Sequence, residues 1–290
     1  MDVVTLPLPA GVTPLTVDVP RGPLAVLEAA PSGERLGTVV LVPGYTGSKE
    51  DFRFVLGPLA QAGLRAVAVD QRGQYESRGP DDPTAYAVDA LGQEVLDLVA
   101  VLGDGPVHLV GHSFGGLVSR AAVLRDPGAV RSHVLMGSGP AGLTGPRTEA
   151  MALLRPVLEQ GGMAAVVAGM DAIAEADPRR VLATEDVRDF LRARLLAGSP
   201  LGLLVMGDAL MSEPNRINEL AELLVPTLVL YGEHDDAWLP ELQQEMAARL
   251  HARYVVVPQA LHSPASRESA GDRGRADRVL LRALALGRPG

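Results

Sequence analysis

Val107-His108-Leu109-Val110-Gly111-His112-Ser113-Phe114-Gly115 is the stretch on which the reading of this chain turns. Val107 to Val110 reads as a strand, and Leu117 to Arg125 reads as a helix. Between them stands a serine with a glycine two residues before it and another two after, the pattern of a nucleophile elbow. The turn is so sharp that side chains at those two places would collide, and glycine avoids the collision. Such a turn holds the serine Oγ above the end of a sheet, with a helix N-terminus beneath it. With 32 glycines in 290 residues the five-residue pattern is unspecific by itself. An ordinary glycine-rich turn is the competing interpretation, so the rest of the chain has to carry the case.

Outward from the elbow, strand and helix signals alternate. Leu15–Val19 and Leu24–Ala29 read as a hairpin around Pro20-Arg21-Gly22-Pro23. Thr38–Val42 and Leu64–Val69 are continuous apolar runs, as in strands buried on both faces. Lys49–Ala62 and Tyr86–Leu102 read as helices, the second with Val88, Leu91, Val95, Leu98, Val99 and Leu102 at helical spacing. Val130–Met136 is a further strand. This order predicts an α/β fold with a mostly parallel sheet and helices on both faces.

From residue 140 to 213 only helical signals remain, at Met151–Leu158, Met163–Ala176, Thr184–Ala197 and Leu201–Leu210. Alternation then resumes with a strand at Val225–Tyr231, a helix at Leu239–Leu250, a strand at Tyr254–Val257 and a helix at Ala276–Leu286. The predicted organisation is therefore a core of residues 1–139 and 214–290, with 140–213 inserted as a helical lid. The lid's methionines fit ordinary helix packing. They also fit an adaptable apolar wall over a pocket. Met163, Met170 and Met206, together with Trp238, are the candidate substrate contacts. Phe190 is the only aromatic residue between 140 and 213, so the pocket is expected to be apolar and poor in stacking surfaces. Arg147, Arg155, Arg179 and Arg180 offer positive charge but read better as solvated helix faces.

Composition removes several classes of function. The net charge of −9, from 26 basic and 35 acidic residues, argues against nucleic acid as a partner. Lys49 is the single lysine; every other basic residue is arginine. There is no cysteine, hence no disulfide, thiolate metal site or cysteine nucleophile. Met1–Pro14 has no basic, apolar leader, and no run of about 18 apolar residues exists. A cytoplasmic protein without membrane insertion is the expectation. A small molecule is the expected partner; oligomeric state stays open, a homo-oligomer included.

A serine hydroxyl needs a base, and that base needs an acid to orient it. In a parallel sheet both should follow later strands, where loops converge on one edge. Of six histidines, His108 and His133 lie inside strands, and His251 sits near a helix end. His112 flanks the serine but is expected to point elsewhere on the turn, and His234 is crowded by acids. His262 follows the last expected strand and is the best base. Tyr231-Gly232-Glu233-His234-Asp235-Asp236 supplies the acid, Asp235 by choice and Asp236 in reserve. The backbone N–H of Phe114, after the serine, and that of Tyr45, in Pro43-Gly44-Tyr45-Thr46-Gly47-Ser48, are the expected oxyanion donors.

These motifs together resemble the α/β-hydrolase superfamily with a helical cap, over nearly the whole chain. Pro43-Gly44-Tyr45-Thr46-Gly47-Ser48 is similar to its oxyanion loop, with Pro43 where histidine is usual. Asp70-Gln71-Arg72-Gly73 is similar to its Asp-x-Arg-Gly segment, Gly232-Glu233-His234-Asp235 to its acid loop, and Leu261-His262-Ser263-Pro264 to its histidine loop. The resemblance implies a serine hydrolase of ester-like acyl compounds that needs no metal or organic cofactor. Carbon–carbon hydrolases, lactonases, thioesterases, perhydrolases and acyltransferases share the same three residues. A ligand-binding member without catalysis is the reading from a different class.

Overall fold

The computed structural model describes residues 5–176 and 184–263. The helix expected at Ala276–Leu286 and two of the arginines, Arg179 and Arg180, lie outside them. Eight strands form one sheet: β1 Thr13–Val19, β2 Gly22–Ala29, β3 Gly37–Val42, β4 Leu64–Val69, β5 Val107–His112, β6 Val130–Met136, β7 Thr227–Gly232 and β8 Arg253–Val257. Their spatial order is β1-β2-β4-β3-β5-β6-β7-β8. β2 runs antiparallel to both of its neighbours, and every pairing from β4 to β8 is parallel. This is the α/β-hydrolase fold.

The apolar strands are sandwiched. In β3, Val40 and Val42 join one core cluster while Val39 and Leu41 join another, as alternation across a pleated strand requires. Helix α1, Arg53–Gln61, covers one face with Val55, Leu56 and Leu59. Helices α2, Val88–Leu102, and α3, Phe114–Arg125, cover the other with Leu91, Val95, Leu98, Leu117 and Val118. Burial on both faces explains why these strands read as unbroken apolar runs.

Local differences from the sequence-based expectations have simple causes. The first hairpin turns on Pro20-Arg21 alone, because Val19 already pairs with Gly22. The helix expected from Lys49 begins as a 3-10 turn, Lys49–Phe52, where buried polar contacts shape the chain more than helical spacing does. Between β6 and β7 stand α4 Pro146–Ala152, α5 Leu154–Ala176, α6 Glu185–Ala197, α7 Pro200–Ser212 and the short α8 Ile217–Ala221. α5 joins two expected segments across a bend at Gly162 (φ 65°). α8 had no clear signal: five residues are too few to show a period. Helix α9, Pro240–Arg249, connects β7 to β8. Among the described residues, no single helix is long and apolar enough to cross a membrane.

Candidate active site

β5 delivers the elbow. Ser113 adopts φ 54° and ψ −122°, a left-handed conformation that costs a non-glycine residue energy. Its N–H donates to Met136 O on β6 (2.9 Å), and its carbonyl accepts from Gly116 N (2.8 Å). The flanking glycines are steric necessities. A Cβ on Gly111 would lie 2.2 Å from Ser119 Oγ, and one on Gly115 would lie 2.3 Å from Val42 O. The ordinary-turn interpretation accounts for neither the strained serine nor these approaches.

The parallel sheet brings the later loops to the same edge. His262, beyond β8, places Nε2 2.9 Å from Ser113 Oγ and Nδ1 3.0 Å from Asp235 Oδ1. With the carboxylate accepting at Nδ1, Nε2 is the nitrogen free to accept the serine proton. Asp235, beyond β7, is buried. Burial alone would raise its carboxyl pKa. Hydrogen bonds from His262, the Ala237 N–H (2.9 Å) and Gln243 Nε2 (2.9 Å) overcome that and hold it below the usual carboxylate range. Asp236, the reserve, pairs instead with Arg147 on α4.

His112 points away from Ser113 and toward the histidine loop. Its ring lies 5.2 Å from that of His262, and Nε2 donates to the His262 carbonyl (3.1 Å). Burial first, and the neighbouring His262 second, lower its pKa to about 4, so it braces that loop as a neutral ring. His108 and His133 are packed inside the sheet, bonded to Ser132 Oγ (2.7 Å) and Ser119 Oγ (2.8 Å).

The loop after β3 lies against the elbow: a Cβ on Gly44 would come 3.0 Å from Ser113 Cβ. Among the described residues, neither the Tyr45 N–H nor the Phe114 N–H has a hydrogen-bond acceptor. Beside this loop opens a small cavity of about 30 Å³, room for roughly two waters. Met163 and Met206 line it, with Leu195 and Leu203.

Two expected substrate contacts do not line that cavity. Met170 is exposed on α5. Trp238 is buried beside His262, ring centroids 6.0 Å apart, with Nε1 donating to Ala141 O (3.0 Å); it packs the histidine loop. The cavity's aromatic surface comes from the core, as Tyr45 and Tyr75. Phe190, the aromatic residue of the helical segment, is buried edge-on against Tyr75. Arg194 reaches the cavity, paired to Asp51 and Ser48 Oγ, whereas the described candidates Arg147 and Arg155 pair with Asp236 and Asp208. Its clue was its place on the inner face of α6, which helical spacing alone did not distinguish.

Lys49, the single lysine, is buried among Glu50, Asp70 and Glu76 (2.5–2.9 Å), under the ring of Tyr75. The surrounding carboxylates outweigh burial and keep it a cation. Its backbone N–H donates to Asp70 Oδ1 (2.7 Å), which fastens the chain just beyond the Tyr45 loop.

A family model described as "Alpha/beta hydrolase family" matches residues 39–272. A Bacillus subtilis (strain 168) protein provisionally named 2-succinyl-6-hydroxy-2,4-cyclohexadiene-1-carboxylate synthase is 26% identical over 245 residues, 82% of this chain and 88% of that one. A carboxylesterase structure from the thaumarchaeon Nitrososphaera gargenis superposes with TM-score 0.76 at 20% identity, covering 94% of this chain and 98% of that one. The enol-lactonase from Burkholderia xenovorans LB400 superposes with TM-score 0.74 at 22% identity, covering 94% and 99%. At these identities the structural likeness speaks for the fold.

Proposed function

Because the chain belongs to the alpha/beta hydrolase family, we propose that it is a serine hydrolase cleaving an ester-like bond of a mainly apolar acyl substrate. The observation that carries this reading is the unbroken relay from Ser113 Oγ through His262 to Asp235, at 2.9 and 3.0 Å. His262 takes the serine proton as Oγ attacks the acyl carbonyl. Asp235 holds the imidazole in the required tautomer and stabilises it once it is charged. The Tyr45 and Phe114 N–H groups receive the oxyanion. His262 then returns the proton to the leaving alcohol. In the second half-reaction it activates water, which releases the acid from the acyl-enzyme.

The helices of residues 140–213 act as a cap in this reading. The cavity beneath them opens beside the Tyr45 loop, and Ser113 and His262 are not among its lining residues. The lining by Met163, Met206, Leu195 and Leu203 supports an apolar substrate.

The test is hydrolysis of p-nitrophenyl esters from acetyl to palmitoyl, with Ser113→Ala alongside and fluorophosphonate labelling of both proteins. Turnover and labelling that vanish together in Ser113→Ala support the reading, and the chain-length optimum sizes the pocket. A second reading draws on the Bacillus synthase, which is similar over most of its length: the same serine serves a non-hydrolytic reaction. Its signature is labelling at Ser113 without turnover of any ester.

A further inference from the structure

Two buried glutamines that the proposed mechanism leaves unused grip the Tyr45 loop from behind. Gln71 and Gln74 lie just beyond β4 and are 4% and 6% exposed. Gln71 Nε2 donates to Pro43 O (2.8 Å), and Gln74 Nε2 donates to Gly44 O (2.8 Å). The two are linked to each other, since Gln71 N donates to Gln74 Oε1 (3.3 Å) and Gln74 N to Gln71 O (2.8 Å). Only the NH2 side of an amide can face a carbonyl, so the donor direction of both contacts is settled.

The second contact matters because of what shares its peptide plane. The Gly44 carbonyl and the Tyr45 N–H are the two ends of one planar trans unit and point in opposite directions. Whatever holds that oxygen also aims that N–H. Position 44 has little space for a side chain, given the 3.0 Å approach to Ser113 Cβ. Glycine, though, leaves its peptide planes the freest to rotate. The turn bond from Gly47 N to Gly44 O (3.0 Å) is one restraint, and the Gln74 amide is the other.

We infer that Gln74, supported by Gln71, is the positioning residue that aims the Tyr45 N–H at the developing oxyanion. This rests on the serine-hydrolase reading. Gln74 also borders the cavity, so direct substrate contact is the competing role. The two roles separate kinetically. A substrate contact changes KM, whereas an aiming role acts on the transition state and changes kcat.

The experiment compares wild type, Gln74→Leu, Gln74→Glu and Ser113→Ala, each checked by thermal melting. Rates are read on the preferred p-nitrophenyl ester and as the second-order rate of fluorophosphonate labelling, whose phosphoryl oxygen meets the same donors. Removal of one oxyanion donor costs about 100- to 1000-fold in kcat, so mis-aiming one is expected to cost about 10- to 100-fold. Gln74→Leu should lose that much in kcat and in labelling rate, with KM within about twofold of wild type.

Gln74→Glu keeps the volume and gives a second readout. An ionised glutamate cannot donate to Gly44 O, but a protonated one can. Its activity relative to wild type should therefore rise as pH falls. A changed KM with unchanged kcat and labelling overturns the inference and leaves the hydrolase reading standing, as does a Gln74→Glu ratio that is flat with pH. Turnover and labelling that persist in Ser113→Ala overturn both.

Discussion

The sheet and the helices between β6 and β7 are built on different principles. In the sheet, β3 and β5 are buried on both faces, and the groups of the proposed relay sit where strands end. Ser113, Asp235 and His262 follow β5, β7 and β8, so their separations are set by strand pairing, which tolerates little displacement. The inserted helices bury less. Leu153, Met170 and Ile173 remain exposed at 63%, 42% and 64%, and their own core is a small cluster around Leu158, Val166 and Leu203. α7 joins the main core through Met206 and Leu210, and polar contacts add further ties: Tyr45 Oη to Leu203 O (2.8 Å), Arg194 to Asp51, Tyr86 Oη to Ser199 Oγ (3.0 Å) and Arg120 to Glu213 (2.9 Å). A region with few buried apolar contacts opens at lower cost than one with many. The sheet thus fixes atoms, and the helices are the region proposed as an adjustable wall.

The sharpest break between the two regions should come from the elbow. Ser113→Ala and His262→Ala are each expected to cut ester turnover by at least about 10⁴-fold while the melting temperature stays near wild type. Methionine changes in the lid, such as Met163→Ala, should shift chain-length preference by about tenfold at most. Activity surviving in Ser113→Ala would break the comparison outright.

Asp235→Asn should cost about 10⁴-fold in kcat, through loss of the correct imidazole tautomer. Asp236→Asn should stay within about twofold, because its partner Arg147 is a half-exposed surface pair. If the two outcomes are exchanged, the acid has been assigned one residue too early.

Paired glycine substitutions test rigidity directly. Gly115→Ala drives a methyl group against Val42 O and should destabilise by more than about 2 kcal/mol in denaturant unfolding. Gly169→Ala, on the exposed side of α5 with nothing within 4 Å, should stabilise by up to about 1 kcal/mol. Equal effects at the two sites would argue against a rigid sheet carrying a tolerant cap.

Acid should act on the sheet. Burial holds His112 and His133 at about 4 and about 3, below the ordinary 6.5. Between pH 6.5 and about 4 the unfolded chain therefore binds more protons than the folded one, and stability falls as pH falls. Thermal midpoints measured across that window should decline, with a shallower slope in His112→Gln. A flat profile in wild type would remove these histidines as a cause of acid lability.

Tyr45→Phe is the smallest change. It removes one tie to α7 worth about 0.5–1.5 kcal/mol. Amide exchange in α7 should speed up while exchange in β5 does not.

Most of the fold was legible in the sequence because strands buried on both faces are continuous apolar runs and the helices between them keep a 3.6-residue period. The elbow was legible for a steric reason: only glycine fits at positions 111 and 115. The rule that loops meet at one edge of a parallel sheet placed the candidate acid and base after later strands, and the chain order expected of a nucleophile elbow put Asp235 before His262. What the sequence could not contain was which side of each helix faces inward. Helical period marks an apolar stripe and is silent about where the helix is laid down. Hence Met170 is exposed, Trp238 packs the histidine loop, and Arg194 lines the cavity. Nor could it reveal that Gln71 and Gln74 hold carbonyls 28 and 30 residues away in the chain. Local pattern determined the elements and the chain order of the reacting groups. Only tertiary packing, which joins residues without regard to their separation along the chain, decided the walls of the cavity and the supports of the loop.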